Sequence, residues 1–95
     1  MAIAVLTQVQ GAGLDTFEAV HAKVGVAEDP AEGLLVFTAA ATEDGGYFVF
    51  NVWESKSAWE KFRDERLSAA RQQVWPEGIA PPKVSVWELH TFQTF

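Results

Sequence analysis

The stretch YFVFNVWESKSAWEKF, Tyr47 to Phe62, decides the fold of this chain. Tyr47 to Glu54 is dense in aromatic and β-branched residues and predicts a strand. Ser57, with Glu60 three residues later, then forms a capping pattern that opens a helix with almost no connector. Within the strand, Phe48, Phe50 and Val52 point one way while Tyr47, Val49, Asn51 and Trp53 point the other, so neither side reads as a solvent face. Such a strand belongs inside a sheet that is covered on both faces.

Working upstream, residues 2–10 form an apolar run stopped by Gly11-Ala12-Gly13, which predicts a first strand. Asp15 and Glu18 give a capping-like start to a first helix, in which Leu14, Phe17, Val20 and Val24 recur at helical spacing until Gly25. Asp29-Pro30 marks a turn, and Gly33 opens a second strand closed by the hairpin signal Glu43-Asp44-Gly45-Gly46. Downstream, the second helix must end near Val74, because Trp75 precedes Pro76 and is driven out of the helical region. A Pro- and Gly-rich loop then leads to a fourth strand over Val84 to Phe92. The order β-α-β-β-α-β predicts an α+β, ferredoxin-like domain over residues 1–95, a four-stranded antiparallel sheet with two helices on one face. A second copy of the chain is the economical cover for the other face, which predicts a homodimer through the open face of the sheet.

Composition narrows the partners. Seven Lys and Arg against 13 Asp and Glu give a net charge of −6, so neither nucleic acid nor an anionic membrane is expected to bind. The absence of Cys excludes disulfides and thiolate chemistry, and two widely separated His residues form no metal-ligand spacing. No metal or cofactor is expected. The opening MAIAVLTQVQGAG lacks a basic leader and is too short to span a bilayer, so it reads as a strand of a cytoplasmic protein.

Gly33-Leu-Leu-Val-Phe, Asp44-Gly-Gly-Tyr-Phe-Val-Phe-Asn-Val-Trp-Glu-Ser and Ala58-Trp-Glu-Lys-Phe together resemble the dimeric α+β barrel proteins of the antibiotic-biosynthesis-monooxygenase type. The resemblance implies a dimeric α+β barrel and extends over nearly the whole chain. Many members carry a His nine positions after the Trp of the W-E-S motif, and that position here is Phe62. In the haem-degrading branch the functional positions fall on Phe62 and Gln72, and residues 2–10 contain no Asn, so all three functional residues of that branch are missing. The cofactor-independent monooxygenases of aromatic polyketides resemble the chain better. There an Asn and a Trp bind and activate a phenolic substrate, which makes Asn51 and Trp53 the nearest candidates.

Projection of the second helix at about 100° per residue gives independent candidates. Ala58, Trp59, Phe62, Leu67, Ala69, Ala70 and Val74 fill an apolar arc, with Arg66 inside it and Arg63 to one side. A charge brought indoors is costly, so these guanidinium groups must reach outward, pair with a carboxylate such as Glu88, or meet an anionic ligand. His21 shares the apolar face of the first helix, as a hydrogen-bonded core residue or as a proton acceptor. Asn51 needs a partner for its amide, from the backbone, a dimer interface or a ligand hydroxyl. Trp53 and Trp59 read first as core. Lys56, Glu60, Lys61, Asp64, Glu65 and Arg71 read as the solvated side of the helix.

Two functions fit these residues. One is a cofactor-independent monooxygenase or related enzyme acting on a small aromatic or polyketide-like compound, with Asn51, Arg66 and His21 catalytic and Trp53, Trp59 and Phe62 lining the substrate site. The alternative is a non-catalytic homodimer that binds a small ligand or acts as a scaffold, favoured by the missing helix His.

Overall fold

The structure is a computed structural model that describes residues 1–95. The elements are β1 (Ile3–Val9), α1 (Leu14–Val24), β2 (Leu34–Ala41), β3 (Tyr47–Trp53), α2 (Lys56–Phe62), a π-helical turn (Arg63–Leu67), α3 (Ser68–Val74) and β4 (Lys83–Glu88). Helical backbone runs without a break from α2 through the π turn into α3. All strand pairs are antiparallel, in the order β2-β3-β1-β4. The expected ferredoxin-like sheet is therefore present. The expected closed barrel is not: β2 and β4 are the two edges of an open four-stranded sheet, and no ladder joins them. Closure requires strands to continue around a circle, and here the hydrogen-bonded order ends at each edge.

Register assigns the faces. Ile3, Val5, Thr7 and Val9 of β1 lie opposite Trp53, Asn51, Val49 and Tyr47 of β3. This is the face that meets the helices, because Ile3, Val5 and Trp53 share one buried cluster with Val20, Val24, Val26, Trp59, Phe62 and Ala70. Trp53 is fully buried, and its ring lies 5.0 Å from that of Phe62. Ala4, Leu6 and Gln8 pair with Val52, Phe50 and Phe48 on the opposite face, joined there by Trp87, which pairs with Ala4 and is 52% exposed. The double-sided apolar character of β3 thus has a helix cover on one side only.

Local chemistry explains the element boundaries. Ser55, rather than Ser57, caps α2, its hydroxyl accepting from the Ala58 N–H at 3.1 Å. Asp15 caps nothing: α1 starts after Gly13, and Asp15 sits in the first turn, where its charge favours the helix dipole. Trp75 takes up an extended conformation ahead of Pro76 and ends α3 as expected. β4 stops at Glu88 rather than Phe92 because its partner is exhausted. Glu88 already pairs with Ile3, and one further bond, from the Leu89 N–H to the Ala2 carbonyl at 2.9 Å, completes the ladder. A bulge between Leu34 and Val36 leaves Leu35 48% exposed. At Gly33, φ is +85° and a Cβ would stand 2.7 Å from the Cβ of Ala58, so only glycine lets β2 begin beside α2.

Candidate functional site

A cavity of about 220 Å³ lies between the helix face of the sheet and the helices. β1 and β3 supply its floor through Thr7, Tyr47, Val49 and Asn51; α1 supplies Phe17, Val20 and His21; α2, the π turn and α3 supply Trp59, Phe62, Arg63, Leu67 and Arg71. Eleven of the 16 lining residues are hydrophobic, so a few polar groups act in a largely apolar space. An engineered apolar cavity of about 150 Å³ accepts benzene. This one has room for one or two fused rings.

Asn51 is the best-defined polar group. The Trp53 indole N–H donates to Asn51 Oδ1 at 2.9 Å, in a buried bond between neighbours on one face of β3. An indole N–H is only a donor, so the bonded amide atom must be the oxygen, and the orientation of the carboxamide is fixed chemically. Its Nδ2 donates to no protein atom, yet no buried side-chain nitrogen or oxygen lacks a partner. That amine therefore opens onto the cavity. Trp53 itself lies behind Asn51, outside the cavity wall.

His21 reaches the cavity inside an aromatic stack. Its ring centroid is 5.1 Å from that of Phe17 at an interplanar angle of 20°, and 5.2 Å from that of Phe37. Phe17 in turn meets Tyr47 edge-on at 5.9 Å. The imidazole is thus held by aromatic faces rather than by a carboxylate. Burial pushes the Tyr47 phenol above its ordinary range, opposed in part by the charge of Arg71, so the phenol stays protonated and able to donate.

The arginines divide in a way that a regular helix does not predict. Arg66 is not in the cavity wall. Its Nη2 donates to the carbonyls of Val24 at 2.7 Å and Asp29 at 2.8 Å, and its Nη1 stands 3.9 Å from the Asp29 carboxylate. The Val24 carbonyl belongs to the last turn of α1, where no helical N–H remains to satisfy it. Glu88, the carboxylate expected from the sequence, plays no part. Arg63 does line the cavity, lying 4.9 Å from the Trp59 ring centroid and bonded at 2.9 Å to exposed Asp64, whose carboxyl it holds below the usual range.

Arg71, expected on the solvated side, instead lines the cavity and loses ionisation tendency to burial. The π turn accounts for both reversals. In a regular helix, at about 100° per residue, Arg71 stands about 120° from Trp59 and Arg66 only about 20° from it. A π turn absorbs one extra residue, which brings Arg71 to about 20° from Trp59 and carries Arg66 toward about 120°. Trp59, Phe62, Arg63, Leu67 and Arg71 then share one face. Of the residues expected at the site, the structure brings Asn51, His21, Trp59 and Phe62 together, and it sets Trp53 and Arg66 behind the wall. Tyr47 could have been found from its period-two relation to Asn51, whereas nothing in the sequence marks the π turn that delivers Arg71.

No protein-family model matches the chain, and no curated protein matches it. Solved structures share its fold. Rv0793 from Mycobacterium tuberculosis superposes with a TM-score of 0.72 at 17% identity, with 99% of this chain and 100% of that chain covered. SnoaB from Streptomyces nogalater, a cofactor-independent oxygenase, gives 0.71 at 12% identity, covering 96% of this chain and 95% of its own. A variant of MhuD with two manganese protoporphyrin IX molecules per active site gives 0.65 at 17% identity over all of both chains. At such identities the likeness is one of fold. No helix is long and apolar enough to cross a membrane.

Proposed function

We propose that the chain binds a small phenolic, polyketide-like compound in this cavity and oxidises it with molecular oxygen without a cofactor, the kind of activity described for SnoaB. The observation that carries the reading is the Asn51 amide, fixed by Trp53 and offering its free N–H groups to an apolar space. Asn51 donates to the phenolate or carbonyl oxygen of the substrate, a charge-assisted bond that strengthens as negative charge develops. His21 accepts the proton, while Trp59 and Phe62 hold the rings. Trp53 and Arg66 are positioning residues, the first for Asn51 and the second for the π turn. An activated CH₂ group and O₂ give C=O and H₂O, so the substrate itself supplies the electrons.

The test uses 1,5-dihydroxynaphthalene, a two-ring phenol whose keto tautomer carries the activated CH₂ group, in an oxygen electrode. Uptake above the buffer rate should fall about a hundredfold in Asn51→Leu, the scale set by loss of one preorganised donor, and should also fall in His21→Phe. Uptake unaffected by both substitutions overturns these roles. Phe62, at the position where many monooxygenases of the resembling type carry a His, favours the second reading, a non-catalytic ligand binder. Binding of the dihydroxynaphthalene without oxygen uptake would establish it.

The open sheet face supports a further part of the proposal. Leu6, Phe48 and Phe50 are only half-covered within the chain, and Trp87 beside them is largely exposed. We propose that a second copy covers this patch, giving a homodimer of two sheets packed face to face.

A further inference from the structure

Arg71 carries an inference beyond the oxidation chemistry. The chain as a whole is acidic, with 13 Asp and Glu against seven Lys and Arg. The cavity inverts that balance: two arginines line it and no carboxylate does. Arg63 is neutralised at the rim by Asp64. Arg71 has no such partner, since the ion pairs of the chain are those of Arg63 and Arg66, and its guanidinium donates no hydrogen bond to the protein. Half-buried, it bears a desolvation cost that no protein anion offsets.

Tyr47 shares the cavity wall with Arg71, the charge of Arg71 acts on its phenol, and the phenol donates no hydrogen bond to the protein. A guanidinium fork presents two parallel N–H donors, and a protonated phenol adds a third from another element. Asn51 lies four residues further along β3, on the same face. The wall thus offers donors without offering a single charged acceptor. We propose that Arg71 and Tyr47 form an anion subsite, and that the natural ligand of the cavity is an aromatic carboxylate with one or two fused rings. The carboxylate engages Arg71 and Tyr47, the apolar body lies against Trp59 and Phe62, and a ring oxygen reaches Asn51. This rests on the reading of the cavity as a ligand site and adds the acidic group to it.

Two matched probes separate the two ideas: 2-naphthoate and 2-naphthamide, of nearly equal shape and differing in charge. Titrated against wild-type protein with Trp fluorescence as readout, naphthoate should bind about ten- to a hundredfold more tightly, the range for hydrogen bonds to a charged group. In Arg71→Gln that preference should vanish while naphthamide affinity is kept, and in Tyr47→Phe it should shrink severalfold. Equal binding of the two probes to wild-type protein overturns the anion subsite and leaves the cavity reading standing. A preference that survives in Arg71→Gln overturns the role of Arg71. Failure of both probes to bind overturns the subsite and the ligand reading together. The comparison on wild-type protein decides the matter even if a variant folds poorly.

Discussion

The bond between Trp53 and Asn51 makes a prediction whose sign, and not only its size, follows from the structure. Trp53 is 0% exposed and does not line the cavity, so water does not replace the acceptor of its indole N–H, whereas Asn51 meets the cavity. Asn51→Leu conserves shape but leaves the indole N–H of Trp53 without an acceptor in a dry core, a loss of about 1–3 kcal/mol. Trp53→Phe removes the donor and part of a ring, costing about 1–2 kcal/mol in packing. Its orphaned Asn51 oxygen adds about 1 kcal/mol, the low end of the range, because cavity water can reach the amide. The double variant has no orphan at all. It should therefore be more stable than the sum of the single losses by about 2–4 kcal/mol, the two orphan penalties together. Urea unfolding of all four proteins at one protomer concentration measures this, and each kcal/mol should also move the melting temperature by about 4–8 °C. Additivity within about 0.5 kcal/mol would refute the buried bond and, with it, the fixed orientation of Asn51.

Tyr47 is the single tyrosine of the chain, so phenolate absorbance reports on it alone. Its midpoint in the folded protein should lie above 10.0, and Arg71→Gln should move it higher still, because the charge of Arg71 opposes the effect of burial. Since the folded phenol holds its proton to higher pH than the unfolded one, the stability it contributes is complete below about pH 10 and is lost as pH rises toward the folded midpoint. Arg66→Met should destabilise by about 1.5–3 kcal/mol through loss of the bonds to the Val24 and Asp29 carbonyls. Naphthamide affinity should stay unchanged in that variant, and a large loss of affinity would place Arg66 in the ligand site after all. Phe50→Lys on the open face should shift light scattering from dimer to monomer, and a monomeric wild-type protein at micromolar concentration would refute the second cover.

The order of elements was legible because each boundary has a local cause: alternation in β3, glycine at the end of α1, proline after α3. The helix face of β3 was legible for the same reason, since a period of two places Tyr47, Asn51 and Trp53 together once any one of them is known to be inside. What depended on a partner strand was not. The end of β4 is set by where β1 runs out, and the openness of the sheet by which strands pair, and neither is written in the residues of a single segment. The arginines were misplaced for a different reason. A constant angle per residue places Arg66 inward and Arg71 outward, and a single absorbed residue between Phe62 and Ser68 reverses both. Ser55 and Ser57 both fit a capping role by type, and only the bond to the Ala58 N–H separates them.

The π turn gives the second helix a spare residue. Because Trp59 before it and Arg71 after it share a face only when one position between them is left uncounted, removing an exposed residue such as Glu65 would let the turn relax to ordinary α-helix with both flanks still in phase. Elsewhere in a packed helix a one-residue deletion rotates everything downstream by about 100°. In this helix it would shorten the element and leave the cavity wall facing as it does, so length can vary here while the anion-facing residues stay where they are.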